Sequence, residues 1–145
     1  CAMYVLHIGA DGFMSDEQFK KFYWPTRKLV MLALYEDGIT SYLFIEGSYN
    51  QRLEYLAEMP EKSLVCHFDQ TDMKKVKELL SNKFIIAGNV PASMMAAGSV
   101  ADVRNYSESL VAQFEDAPAY ILAHGCYFEN TTDEKLRAFM DAVKK

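Results

Sequence analysis

Seven side chains able to do chemistry lie at or just past the ends of short runs of branched and aromatic residues: His7, Asp11, Glu46, His67, Asp69, Asn89 and His124. They include every histidine of the chain. Imidazole exchanges protons near neutral pH and ligates metals, carboxylates bind metals and accept protons, and a side-chain amide orients polar ligands by donating and accepting at once. Each residue also has a plainer use. A histidine at a strand end is commonly a hydrogen-bonded structural residue, Asp69 stands where a carboxylate caps a helix ahead of Thr71 and Asp72, and Asn89 can satisfy loop backbone groups. Glu46 interrupts an otherwise apolar run, where a partly buried carboxylate must be paired, protonated or metal-bound.

The runs that carry these residues read as strands: Met3–Ile8, Ser41–Glu46, Ser63–Asp69, Lys83–Asn89 and Ala119–His124. A helical pattern follows each. Ser15-Asp16-Glu17-Gln18 and Thr131-Thr132-Asp133-Glu134 both fit the capping box, in which a hydroxyl and a later side chain satisfy orphan backbone donors reciprocally. The first helix is expected to run to about Asp37 and stop at Gly38, kinked or divided at Pro25, which lacks an amide hydrogen. Leu53, Leu56 and Ala57 give a short helix its apolar face, and Met73, Val76, Leu79 and Leu80 do the same for the next, whose lysines form a solvated face. Ser99 is the expected cap of a helix from about Val100 to Glu115.

At 145 residues, half of them hydrophobic and 24% charged, the chain is long enough for a single domain, residues 1–145, whose core needs no disulfide or metal staple. A net charge of −5 without a basic cluster speaks against nucleic acid as a partner. The longest apolar run, Leu29–Tyr35, is far short of the roughly 18–20 residues that span a bilayer, so no membrane association is expected. Cys1, Cys66 and Cys126 form no CxxC pair and are odd in number, which fits free thiols in a reducing, cytoplasmic compartment. Strand parity turns Cys66 toward the helices, where it packs. Starting at Cys1 and ending within a helical pattern at Lys145, the chain reads as a piece of a longer protein.

Alternating βα units make an α/β fold with parallel strands, and two arrangements compete. A flavodoxin-like open sheet calls for central strands apolar on both faces. Here Leu64, Cys66 and Phe68 alternate with Val65, His67 and Asp69, and Leu43 and Ile45 alternate with Tyr42, Phe44 and Glu46, so one face ends in polar groups. That pattern suits the interior of a (βα)8 TIM-type barrel, which displays functional side chains at the carboxyl ends of its strands. A full barrel takes about 250 residues, so the expected fold is the later part, about five units, of one. Two open edge strands and an inner face carrying Val5, Tyr42, Phe44, Val65 and Leu122 would favour a homodimer or higher oligomer.

Three further stretches occur in a fixed order: Gly12-Phe13-Met14-Ser15 leading into Phe19 to Pro25, then Gly88-Asn89-Val90-Pro91, then Ala123-His124-Gly125 followed by Phe139-Met140-Asp141-Ala142-Val143. Together they resemble the carboxyl-terminal part of the uroporphyrinogen decarboxylase superfamily, which includes the decarboxylase of tetrapyrrole synthesis and the cobalamin-dependent methyltransferases. The resemblance spans nearly the whole chain and implies a barrel whose first three units lie outside it. For the decarboxylase branch it implies that His124 matches the histidine of a Gly-His-Gly motif at the last strand and is catalytic, while the family's substrate-binding serine falls on Gly9. For the methyltransferase branch, Phe44-Ile45-Glu46-Gly47 lies where those enzymes carry His-x-Cys-Gly with two zinc ligands, and their third ligand falls on His124 or Cys126. Zinc accepts carboxylate and imidazole as well as thiolate, so Glu46, His67 and His124 are the expected zinc ligands, with Asn89 and Asp11 expected to contact the cofactor.

The expected function is therefore corrinoid-dependent methyl transfer, with cobalamin as methyl carrier, zinc activating the acceptor, and a corrinoid protein or tetrapyrrole as partner. The alternative enzyme is a uroporphyrinogen decarboxylase of heme biosynthesis, which needs no cofactor. A third reading, from another class, is a catalytically silent association module. The reading frame upstream of Cys1 separates them, since three further βα units support an enzyme.

Overall fold

Runs of alternating apolar residues form five strands: β1 (Ala2–Val5), β2 (Ser41–Ile45), β3 (Leu64–Phe68), β4 (Ile85–Val90) and β5 (Tyr120–His124). The structure is a computed structural model that describes residues 1–127 and 130–144. All five strands pair in parallel and in chain order, β1-β2-β3-β4-β5. Crossovers of one hand that always step in the same direction place every connecting helix on the same face of the sheet. A flavodoxin-like sheet reverses direction after its first strand, in the order 2-1-3-4-5, so the sequential order removes that alternative. The fold is the later part of a (βα)8 barrel, opened out at both edges.

Between β1 and β2, Ser15 and Gln18 close the expected capping box of α1 (Asp16–Gln18). A π-helical stretch over Phe19–Tyr23 then leads into α2 (Trp24–Glu36). Pro25 sits in the first turn of α2, so the division expected there takes the form of a widened turn that tolerates the missing amide hydrogen. Further along lie α3 (Leu53–Ala57), α4 (Met73–Leu80), α5 (Ala92–Ala97), α6 (Val100–Gln113) and α7 (Asp133–Asp141). Ser99 and Asp102 form a reciprocal capping box at α6. At α7 the cap is Thr132 instead of Thr131: its hydroxyl accepts from the Lys135 amide, which puts Lys135 where the box needs an acidic or amide side chain.

Several strand limits differ from the sequence reading, and at β1 and β4 the reason is a local turn that competes for the backbone. β1 ends at Val5, three residues early, as the His7 carbonyl takes the Ala10 amide and the chain turns. β4 begins at Ile85 because the Lys83 and Phe84 amides both bond back to the Leu80 carbonyl and finish the turn after α4. β3 stops at Phe68, leaving Asp69 in the loop.

The core lies between sheet and helices, where Leu43, Ile45, Leu64, Cys66, Phe68 and Ile86 are fully buried. On the opposite face the register aligns Val5, Phe44, His67, Ala87 and Ile121 in one row across all five strands. This face is open: Met3 is 65% exposed, Val5 43% and Ile121 49%. The row also corrects the expected place of Leu122, which packs against the helix-side core while Ile121 takes the inner face. Among the described residues no helix is long and apolar enough to cross a membrane.

Candidate active site

The strand carboxyl ends and the loops beyond them enclose a cleft of about 900 Å3, walled in part by Glu46, Asp69, Thr71, Asn89, Tyr106 and Cys126. Its polar side chains hold one loop to the next. The Asp69 carboxylate accepts the Gly47 amide at 3.0 Å, the Thr71 hydroxyl accepts the Tyr49 amide at 3.0 Å, and the Asn50 side chain accepts the Asp72 amide at 2.9 Å. The capping role considered for Asp69 belongs to Asp72, whose carboxylate accepts the Lys74 amide at the start of α4. Gly125 is required by this packing, because a Cβ there would press on the Asp69 carboxylate at 2.8 Å and its carbonyl at 2.9 Å.

Asn89 and Asp11 are engaged by the protein itself. The buried Asn89 amide donates to the carbonyls of Asp69 and Thr71 at 3.0 and 2.9 Å, and its oxygen accepts from the Tyr106 hydroxyl at 3.3 Å. Asp11 accepts from the Ser48 hydroxyl at 2.8 Å and from the Gln51 amide, tying the loop after β1 to the loop after β2. Both residues shape the rim, and the cofactor contacts expected of them compete with these bonds. His7 lies exposed just after β1.

His67 and His124 are brought together. Their rings sit edge to face with centroids 6.0 Å apart, and Phe44 closes on His67 at 5.1 Å. His67 Nδ1 meets the Tyr42 hydroxyl at 2.6 Å, its Nε2 meets the His124 carbonyl at 2.6 Å, and His124 Nδ1 meets the Cys126 carbonyl at 2.9 Å. Burial holds His67 below its ordinary pKa against the opposing pull of the His124 carbonyl, which favours the neutral ring. Burial, joined by the charges of Asp69 and Glu46, pushes the Cys126 thiol up. Cys66 packs in the core as its parity implied, and full burial pushes its thiol up as well.

Zinc does not fit the expected set in this arrangement. Both ring nitrogens of His67 face partners within the protein, and among the described residues no three His, Cys, Asp or Glu side chains converge as a metal-binding group. Sequence reasoning passed over Tyr42, Thr71 and Tyr106 as site residues. Alternation placed Tyr42 on the inner face, but only the strand register shows that it reaches His67 on the neighbouring strand. Tyr106 carries no local signal beyond its place in a helix.

Gly9 lies under two tyrosines. A Cβ there would strike the Tyr49 hydroxyl and come within 2.7 Å of the Tyr23 ring, so a serine cannot replace it without moving both rings. The buried Tyr49 hydroxyl donates to the Leu6 carbonyl.

A sequential parallel sheet with a polar cleft at its strand carboxyl ends defines a segment of a (βα)8-barrel enzyme fold. The sequence profile of uroporphyrinogen decarboxylase (URO-D) matches residues 2–145, and the chain belongs to that family. Among solved structures, a methyltransferase from Methanosarcina mazei shares the fold with a TM-score of 0.76 and 17% sequence identity, over 97% of this chain and 40% of that one. The chain thus spans well under half the length of that relative. No curated protein matches it by sequence.

Proposed function

We propose that this chain is the carboxyl-terminal part of a URO-D family enzyme that transfers a methyl group to or from a corrinoid at the strand-end cleft. The observation that carries the choice of branch is Gly9. Where the resemblance places a serine in the decarboxylase branch this chain has a glycine, and a Cβ there would press on the Tyr23 and Tyr49 side chains, which supports the methyltransferase branch. The fold shared with a methyltransferase points the same way.

The surfaces present suit such a ligand pair. At the same end of the sheet, Phe13, Met14 and Phe22 line an apolar hollow of about 400 Å3 in which Phe13 and Phe22 are 66% and 68% exposed. Such a surface accepts the flat face of a macrocycle, while the polar cleft suits a small acceptor or donor. A corrinoid, when bound, supplies the methyl group or receives it. A thiol or hydroxyl acceptor must lose one proton as it takes the methyl group, and His124, whose ring meets the carbonyl of the cleft residue Cys126, is the proposed catalytic residue, with Glu46 as the carboxylate of the cleft wall. Zinc is left out of the proposal because its expected ligands do not converge.

Purified full-length protein is to be given methylcobalamin with a thiol acceptor and, separately, uroporphyrinogen. Demethylation of the corrinoid that is lost in His124→Ala is the expected result. Turnover of the porphyrinogen alone overturns the proposal.

A further inference from the structure

The apolar hollow is lined by Phe13, Met14, Gln18, Phe22 and Tyr23, and one buried cation from the next βα unit holds that stretch at three points. Arg52 is 1% exposed. Its Nη1 donates to the Asp16 carboxylate, its Nη2 donates to the Met14 carbonyl at 2.9 Å, and its guanidinium carbon lies 4.6 Å from the centroid of the Phe19 ring. We propose that Arg52 is a positioning residue for the hollow: by fixing Met14, Asp16 and Phe19 it sets the wall against which the flat face of a corrinoid rests. The inference rests on the proposed function in taking a corrinoid as the occupant.

The anchor is itself held in place. Arg52 immediately precedes α3; its amide donates to the Tyr49 carbonyl at 2.9 Å, its carbonyl accepts the Tyr55 amide at 3.2 Å, and Leu53 and Leu56 bury the first turn of the helix. Tyr55 donates its hydroxyl to the same Asp16 carboxylate at 2.9 Å and sets its ring 5.0 Å from that of Phe19. The turn after β2 thus grips the segment after β1 from one side.

Stability alone is a poor reason for this arrangement. A buried guanidinium gives up its hydration, Nε is buried with no hydrogen-bond partner among the described residues, and the Asp16 side chain opposite is 59% exposed, where solvent screens the pair. An apolar side chain of similar volume would fill the space as well. It could not direct two N–H groups in a rigid fork at a carboxylate and a carbonyl, which fixes the backbone on both sides of Ser15. The Ser15–Gln18 capping box and the π-helical turn carry that placement on to Gln18, Phe22 and Tyr23. Phe13 and Phe22 are themselves exposed, so their positions depend on the backbone that Arg52 holds.

The test measures hydroxocobalamin affinity of the full-length protein by visible difference spectra, and KM and kcat with methylcobalamin. Arg52→Lys keeps the charge but replaces the fork with a point charge, so the wall is in place for only part of the time. Apparent affinity then falls in proportion, by about threefold or more, with KM rising to match and kcat little changed. Phe13→Ala, on the hollow itself, is expected to weaken binding too, and the double variant to lose less than the product of the two single losses. Should Arg52→Lys fail to fold, Asp16→Asn at the exposed end of the pair weakens one arm of the fork and takes its place in the comparison. Unchanged affinity in the variant that decides, losses that multiply in the double variant, or cobalamin binding indifferent to Phe13→Ala overturns the proposal. Cobalamin binding that depends on Arg52 in a protein without methyl transfer would sink the proposed function and leave the positioning role, and methyl transfer with binding indifferent to Arg52 would do the reverse.

Discussion

His67 shows how one residue can be recognised as chemical from its type and yet be assigned its part only by its neighbours. Burial lowers its pKa below the ordinary value of 6.5, with the His124 carbonyl raising it in part. The unfolded chain therefore takes up a proton near pH 6.5 that the folded protein resists, and stability must fall as pH drops below that value. Denaturant midpoints of the full-length protein measured from about pH 8 to about pH 5 should decline, and His67→Gln should flatten the decline. A slope unchanged by the substitution would assign the effect to other groups. Cys126 offers a second check. Its thiol is pushed up first by burial and then by the charges of Asp69 and Glu46, so Glu46→Gln should speed its alkylation, while buried Cys66 stays unreactive. Alternation along β2 and β3 makes Tyr42, Glu46 and His67 legible as inner-face residues. Which of them touch is decided by register between strands, and nothing local in the sequence encodes it.

At the scale of elements, the features read correctly are those with short-range causes. The Ser15 and Ser99 caps and the division at Pro25 each depend on residues within one helical turn. Ser99→Ala should accordingly cost about 1 kcal/mol in thermal or denaturant unfolding. Strand limits are less legible, because the end of β1 and the start of β4 are set by turns at Ala10 and Leu80 that outcompete strand pairing. Gly88 is the element-scale position with the least tolerance. Its φ of 117° lies outside the range open to other residues, and a Cβ would strike the Phe68 carbonyl on β3. Gly88→Ala should destabilise the protein by roughly 2–4 kcal/mol and displace the loops around Asn89. A substitution neutral in unfolding experiments would show that β3 and β4 can separate there at little cost.

For the whole molecule the governing fact is a sheet with helices on one face and an apolar, exposed inner face on the other, bounded by β1 and β5 with one neighbour each. On its own the 145-residue chain is expected to associate through that face, and light scattering should return a mass above the 16.5 kDa of one copy. A monomer at micromolar concentration would contradict this. Added upstream βα units that abolish association would show that the same face is covered within a longer chain, and association without activity would favour the silent module. By itself the sequence determined the α/β class, the parallel βα alternation, the caps and the residue types at the strand ends, because periodicity and capping act over a few residues. Only the tertiary structure decided the strand order, the inward turn of Ile121 in place of Leu122, the engagement of Asn89 and Asp11 by neighbouring loops, and the bonds from His67 to the Tyr42 hydroxyl and the His124 carbonyl. These depend on pairing between segments tens of residues apart, where a shift of one residue in register reverses which side chains meet.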